Sequence, residues 1–270
     1  MFRQLSFIVL LGAVVLMTNA CQDNAPSSEQ GGTDSTAVET ASADPEARRI
    51  AKEVMQAMGG REAWDRTRHI GWCFFGSRHL LWDKYTGRVR IEHHKWNMLF
   101  LINVNDTTGR VFEGNQEITE PDTLKKLVDI GRQIWVNDSY WLVMPFKLLD
   151  PGVNLKYVGK DTTQDGKMTD VLELTFGNSV GYTPENKYRV YVDPETHLVS
   201  RWDYFANASM TEPSISDLWS GYKNYDGVLL SGGRGGRSLE DIVVFRELPD
   251  RVYEDTASVQ GIVYPDKIMP

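Results

Sequence analysis

Between residues 67 and 247 the chain breaks into short runs that alternate apolar with polar side chains, and only a few residues separate most of them. Strands are expected over 67–76, 78–83, 88–93, 97–104 and 110–113, then over 153–159, 168–177, 187–193, 199–207, 215–222, 227–230 and 238–247. The punctuation is of hairpin type: Lys84-Tyr-Thr-Gly87, Asn105-Asp-Thr-Thr-Gly109, Gly114-Asn115, Pro194-Glu195-Thr196 and Asn224-Tyr-Asp-Gly227. Connections this short join antiparallel neighbours. A sheet of about a dozen strands is too wide to stay flat, so twist curls it towards a barrel or half-barrel. The run IGWCFFGSRHLLW at 70–82 is apolar on both faces at its start, with Ile70, Trp72 and Phe74 on one side and Cys73 and Phe75 on the other. It reads as a central strand covered on both sides. Later strands alternate: Leu172, Leu174 and Phe176 oppose Glu173 and Thr175, and Trp202 and Tyr204 oppose Arg201 and Asp203.

Helices flank and interrupt this sheet. Asp44-Pro45-Glu46 is a helix start, and Ala47, Ile50, Ala51, Val54, Met55 and Met58 form one apolar stripe that Gly59-Gly60 ends. A helical insert occupies about 121–149. In it Leu124, Leu127, Val128, Gly131 and Trp135 share a face, Asn137-Asp138-Ser139 is placed to cap a second helix, and Pro145 ends that one. Two apolar helical zones must cover something, and the concave face of the sheet is the natural partner. The fold class is therefore mainly β (α+β), a large curved antiparallel sheet with helices over its concave face.

The N-terminus bears on location. Arg3 precedes an uncharged apolar run from Leu5 to Met17, too short for a membrane span and suited to a signal peptide. Thr18-Asn19-Ala20-Cys21 then resembles the lipobox of bacterial lipoproteins. That resemblance implies cleavage before Cys21 and a lipid, palmitate among its acyl groups, on the cysteine. Residues 22–43 are small and polar, with Val38 alone as a branched apolar residue, and read as a flexible tether. About 20 such residues span roughly 25 Å. The expected organisation is a leader over 1–20, an anchored tether over 21–43 and one domain over 44–270.

Charge and motifs remove several function classes. The formal net charge is −8, and −9 once Arg3 is lost with the leader, so nucleic acid is not an expected partner. With Cys21 lipidated, Cys73 has no disulfide partner and no Cys-rich zinc site can form. No metal and no cofactor is expected. Asp161-Thr-Thr-Gln-Asp165-Gly166 begins like a calcium loop, but its closing acid falls at Glu173, one place late, so it reads as a turn. Gly232-Gly-Arg-Gly-Gly236 lacks strand-to-helix context and reads as a mobile loop. His93 and His94 are adjacent and point to opposite sides of a strand; His69, His79 and His197 read as surface groups. No G-x-S-x-G elbow or H-E-x-x-H motif occurs, and no catalytic residue is assigned. The triplets Asp34-Ser-Thr, Asp106-Thr-Thr and Asp255-Thr-Ala resemble an O-glycosylation signal of some Gram-negative bacteria.

Several segments carry a family likeness. Ala57-Met-Gly-Gly60 with Ala63-Trp64, Tyr191-Val-Asp-Pro-Glu-Thr196, Tyr225-Asp-Gly-Val-Leu-Leu230 and Trp141-Leu-Val-Met-Pro-Phe146 resemble segments of the outer-membrane lipoprotein-sorting proteins (LolA/LolB-like fold) and of their bacterial lipoprotein relatives. The likeness spans about 44–247. It implies an incomplete antiparallel barrel whose helices close an apolar space that holds acyl chains. With eight Trp and ten Phe in the chain, the candidate ligand-binding residues are Trp72, Phe74, Trp82, Phe100, Trp135, Trp141, Phe146, Trp202 and Tyr204. The expected protein is a lipid-anchored binding protein of the Gram-negative cell envelope, in the outer membrane, whose partners are a hydrophobic ligand, the membrane and a lipoprotein client. An envelope hydrolase using carboxylates in the concave face, and a structural module that fills its own pocket, are the alternatives.

Overall fold

The computed structural model describes residues 42–163, 166–177, 181–256 and 267–268. All belong to one compact unit, Val38–Pro270. The leader, Cys21, the tether up to residue 41 and the Asp34 triplet lie outside the described residues.

The chain runs β1 (Ser42–Ala43), α1 (Pro45–Ala57), α2 (Gly60–Arg66), β2 (His69–Phe74), β3 (Arg78–Asp83), β4 (Arg88–His93), β5 (Met98–Asn103), β6 (Thr108–Glu113), β7 (Gln116–Glu117) and α3 (Pro121–Val143). It continues through β8 (Val153–Thr162), β9 (Met168–Phe176), β10 (Lys187–Val192), β11 (Val199–Phe205), β12 (Ile215–Leu218), β13 (Ser220–Tyr225), β14 (Val228–Arg234), β15 (Arg237–Phe245) and β16 (Lys267–Ile268). One sheet has six strands in the order β1-β8-β9-β10-β11-β12; the other has ten, β13-β14-β15-β2-β3-β4-β5-β6-β7, with β16 on β15. All pairings are antiparallel except the short β1–β8 contact. The molecule is thus mainly β, with helices on the concave side and no closure into a barrel. The sheets are joined in sequence between β12 and β13, where Trp219 is buried.

One core fills the concave side and draws from α1, α3 and both sheets. Asp44 sets α1. Its Oδ1 accepts from the Ala47 N–H at 2.8 Å, capping the helix, and its Oδ2 accepts from the Tyr157 N–H at 2.8 Å, fixing the helix start to β8. Ala47, Ile50, Ala51 and Val54 are buried along the predicted stripe. The stop requires glycine: Gly59 has φ +113°, and a Cβ there would lie 2.0 Å from the Gly227 carbonyl oxygen.

β2 is central, between β15 and β3, and buried along its whole length. Ile70, Trp72 and Phe74 join the concave core. The opposite side meets a 3₁₀ turn, Asp250–Tyr253, where Leu81, Phe245, Val252 and Tyr253 form a second cluster. Phe75 departs from the expected alternation. Its φ of +46° begins the turn, and its ring packs 4.4 Å from Phe74 and 5.4 Å from Trp141 on the concave side.

Three further expectations are corrected. The insert holds one continuous helix up to Val143, not two, because Asp138 is not a cap. Its carboxylate is fully buried and accepts two hydrogen bonds from Arg78 of β3, at 2.5 and 2.7 Å. The Gly-rich segment is not a free loop: Gly232, Gly233 and Arg234 lie in β14, with Arg234 opposite Arg237 of β15. Cβ atoms at Gly232 and Gly233 would fall 2.7 Å from the Leu239 carbonyl oxygen and 2.4 Å from Ser220 Oγ, so glycine permits these strands to pass. His69 is not on the surface; it is fully buried, with Nδ1 2.8 Å from the Tyr253 hydroxyl.

Two predictions follow from the buried charges. Arg78→Met strands Asp138 in the core and costs about 3–5 kcal/mol in urea unfolding, whereas Arg78→Met with Asp138→Leu recovers most of the loss. Burial lowers His69 and His93 from 6.5 to about 4. Above pH 6.5 both are neutral folded or unfolded. As pH falls from 6.5 towards 4 only the unfolded chain takes up the protons, so the melting temperature drops across that window. His69→Gln reduces that slope.

Candidate functional site

Alternation along three strands of the smaller sheet builds the site. Phe176 of β9, Tyr188 of β10, and Trp202 and Tyr204 of β11 lie on the concave face with Leu172, Leu174 and Val190. Opposite them, α3 presents Trp135, Tyr140 and Trp141. The two surfaces do not close on each other. A cavity of about 540 Å³ lies between them, partly open to solvent. Trp135, Tyr140, Trp141, Phe176, Tyr182, Tyr188 and Trp202 line it, with Val136, Pro151 and Val153 as its aliphatic wall. Gln133, Asn137 and Thr183, all exposed, mark its polar rim.

The rings support one another. Tyr188 and Trp202 stack at 5.1 Å and 7°; Trp141 meets Trp202 edge-on at 4.5 Å and 79°. Tyr140 lies 5.4 Å from Tyr188 and 6.5 Å from Phe176. Such pairs are worth about 0.5–1.5 kcal/mol each beyond the area they bury. Burial pushes the Tyr140 and Tyr188 hydroxyls up, so both are neutral at any physiological pH. The only carboxylate and only ammonium on the wall, Asp150 and Lys147, bond each other. At the rim Tyr182 accepts from Arg132 at 2.7 Å and donates to Asp129 at 2.9 Å, which ties residue 182 to α3.

Behind this wall sits Arg234, fully buried, with its guanidinium 3.5 Å over the Trp219 ring. It donates to Ser231 Oγ at 2.9 Å, to the Gly233 carbonyl at 2.7 Å and to the Trp141 carbonyl in the last turn of α3. A cation suits a helix C-terminus, where carbonyls lack partners. Burial lowers Arg234 to about 9.

Of the candidate residues, the structure brings Trp135, Trp141 and Trp202 to the cavity wall. Tyr204 stands 5.4 Å from Tyr188, and Trp82 meets Trp135 edge-on at 5.3 Å. Trp72, Phe74 and Phe100 are buried in the concave core; Gly131 of α3 rides against the Phe100 ring. Phe146 stacks on Trp64 at 4.3 Å and lines a smaller cavity of about 330 Å³ beside α1. Tyr140, Phe176, Tyr182 and Tyr188 are additional cavity residues; only the alternation of β9 and β10 signalled two of them. Among the described residues no group of three or more His, Cys, Asp or Glu could hold a metal ion, and no helix is long and apolar enough to cross a membrane.

Comparison with solved structures finds similarity to a DUF1329 family protein from Desulfovibrio piger ATCC 29098, at 12% identity and a TM-score of 0.42, over 78% of this chain and 98% of that one. The chain is also similar to a domain described as an outer membrane lipoprotein-sorting protein, from Vibrio parahaemolyticus, at 9% identity and a TM-score of 0.37, over 77% of this chain and 96% of that one. No family model matches the chain, and no curated protein matches it.

The unshared Tyr140 hydroxyl gives a test of the wall. Tyr140→Phe removes no hydrogen bond and changes unfolding free energy by less than about 0.5 kcal/mol, whereas Tyr222→Phe, which loses a 2.8 Å bond to the Val199 carbonyl, costs about 1–2 kcal/mol. Urea midpoints of the two variants check this.

Proposed function

We propose that the protein is a cell-envelope binding protein that carries a hydrophobic small molecule in the cavity between α3 and the smaller sheet. One observation carries the reading: a 540 Å³ space whose wall is mostly apolar and aromatic and whose only charges among the described residues, Lys147 and Asp150, bond each other. Transfer into such a space needs no covalent chemistry, since each buried CH₂ contributes about 0.8 kcal/mol. Exchange takes place at the polar rim near Gln133 and Thr183, because α3 is fixed at its C-terminal half by Arg78 and Arg234.

On this reading Cys21 carries the lipid anchor, the tether holds the domain near an outer-membrane surface, and the ligand is a lipid, an acyl chain or the acyl groups of a lipoprotein client. The lipobox-like residues and the leader support the anchor, and the resemblance of the segments around Gly59 and Tyr225 supports the class of cargo.

The test is native mass spectrometry of the purified full chain, followed by solvent extraction. A bound apolar molecule is expected, displaced by Val136→Trp, which fills the cavity from α3. A chain that carries no such molecule and gains none from added lipids or hydrophobic dyes contradicts the reading.

A further inference from the structure

The make-up of the cavity wall says more than that its ligand is greasy. An acyl chain is served by any apolar surface, and an aliphatic wall of Leu, Ile and Val serves it as well as rings do. Here the aliphatic part is Val136, Pro151 and Val153, and the rest of the apolar wall is aromatic. The rings present a face and edges in fixed orientations: Tyr188 and Trp202 lie parallel within 7°, and Trp141 stands at 79° to Trp202. Fixed faces and edges reward a rigid flat ligand, which gains offset-stacked and edge-to-face contacts that a flexible chain cannot hold.

The polar atoms of the wall add a second condition. The indole N–H groups of Trp135 and Trp202 are buried and have no hydrogen-bond partner. The Tyr140 hydroxyl donates to no described group, and burial keeps it protonated. An indole N–H is a donor only. A buried donor without an acceptor costs free energy that an acceptor on a ligand returns. The wall therefore offers its occupant the Tyr140 hydroxyl, and the two enclosed indole N–H groups only once side chains shift; its one carboxylate among the described residues is already engaged by Lys147.

We infer that the cavity takes an uncharged, flat, ring-bearing molecule that carries carbonyl or ether oxygens, in preference to a straight acyl chain. This deepens the reading of the cavity as a ligand site and rests on it. The ring lodges against the Tyr188–Trp202 pair, and an oxygen accepts from Tyr140 or from an indole N–H as the side chains settle on it.

The experiment compares three probes on the full chain carrying Cys21→Ser, so that no attached lipid competes: flavone, a flat ring system with carbonyl and ether oxygens; naphthalene, flat without oxygen; and palmitate. Tryptophan fluorescence and calorimetry read the affinities. Flavone is expected to bind about tenfold or more tighter than either other probe. Tyr140→Phe, whose fold is expected to be undisturbed, weakens flavone several-fold and leaves naphthalene, which has no acceptor, nearly unchanged. Palmitate binding as tightly as flavone overturns the inference and leaves the proposed function standing. Naphthalene equalling flavone also overturns it, since the donors then do nothing. Failure of all three to bind overturns the proposed function as well.

Discussion

The structure turns on how α3 is held. A carboxylate buried at Asp138 is tolerable only because Arg78 meets it with two charge-assisted hydrogen bonds, and both groups are largely removed from water. Less than one turn later Arg234 donates to the Trp141 carbonyl at the end of the same helix. Both arginines come from the ten-stranded sheet, as do the Phe100 and Ile102 side chains, each of which would lie 3.0 Å from a Cβ added at Gly131. A side chain larger than hydrogen at 131 would lift the helix from β5. The buried directional ties of α3 therefore run to one sheet, and its bonds to Tyr182 of the β9–β10 connection lie at the exposed rim. Towards the strands of the other sheet it presents mainly the rings of Trp135, Tyr140 and Trp141. The cavity is the geometric remainder of that asymmetry.

Much of this was legible in the sequence, for a definite reason. In strands the side-chain period is 2, and it survives whatever the strand pairs with. So the strands β9, β10 and β11 could be placed from their short runs, and the inward faces of Leu172, Leu174 and Trp202 from alternation. The stripe of α1 and its stop at Gly59 were equally local. What failed was long-range. Asn137-Asp138-Ser139 has the composition of a helix cap, but Asp138 is bonded to a residue 60 positions away, and the helix runs through. His69 has polar and charged neighbours in sequence, yet it is covered by a turn that begins at Asp250. Gly232 and Gly233 have loop composition because glycine serves loops and close strand crossings alike.

The site was half legible for the same reason. Alternation tells which face a ring lies on; it does not tell whether the opposing surface reaches it. Phe100 and Trp202 have the same signature in sequence, an aromatic on the inward face of a strand. Phe100 is packed against by Gly131, and Trp202, although met edge-on by Trp141, also borders the cavity beside that contact. Separating them requires knowing where Arg78 and Arg234 pull the helix.

A cavity of this size also needs a reason not to collapse. Residual void in a core costs about 24 cal/mol per Å³ when neighbours cannot relax into it, so an apolar gap normally shrinks. Here relaxation is blocked on each side. Moving α3 inward would break a buried ion pair and leave an unpaired charge. On the other side the Tyr188–Trp202 stack at 5.1 Å and the hydroxyl bond from Tyr204 to Asn186 join β10 and β11 into one face. Trp202 is further braced by Trp219 at 5.6 Å, and Trp219 lies under the Arg234 guanidinium. The same arginine thus fixes the helix and the wall that faces it. A space kept open from both sides by one buried cation is a space the fold maintains, and that is the physical ground for reading it as a site and not as a packing fault.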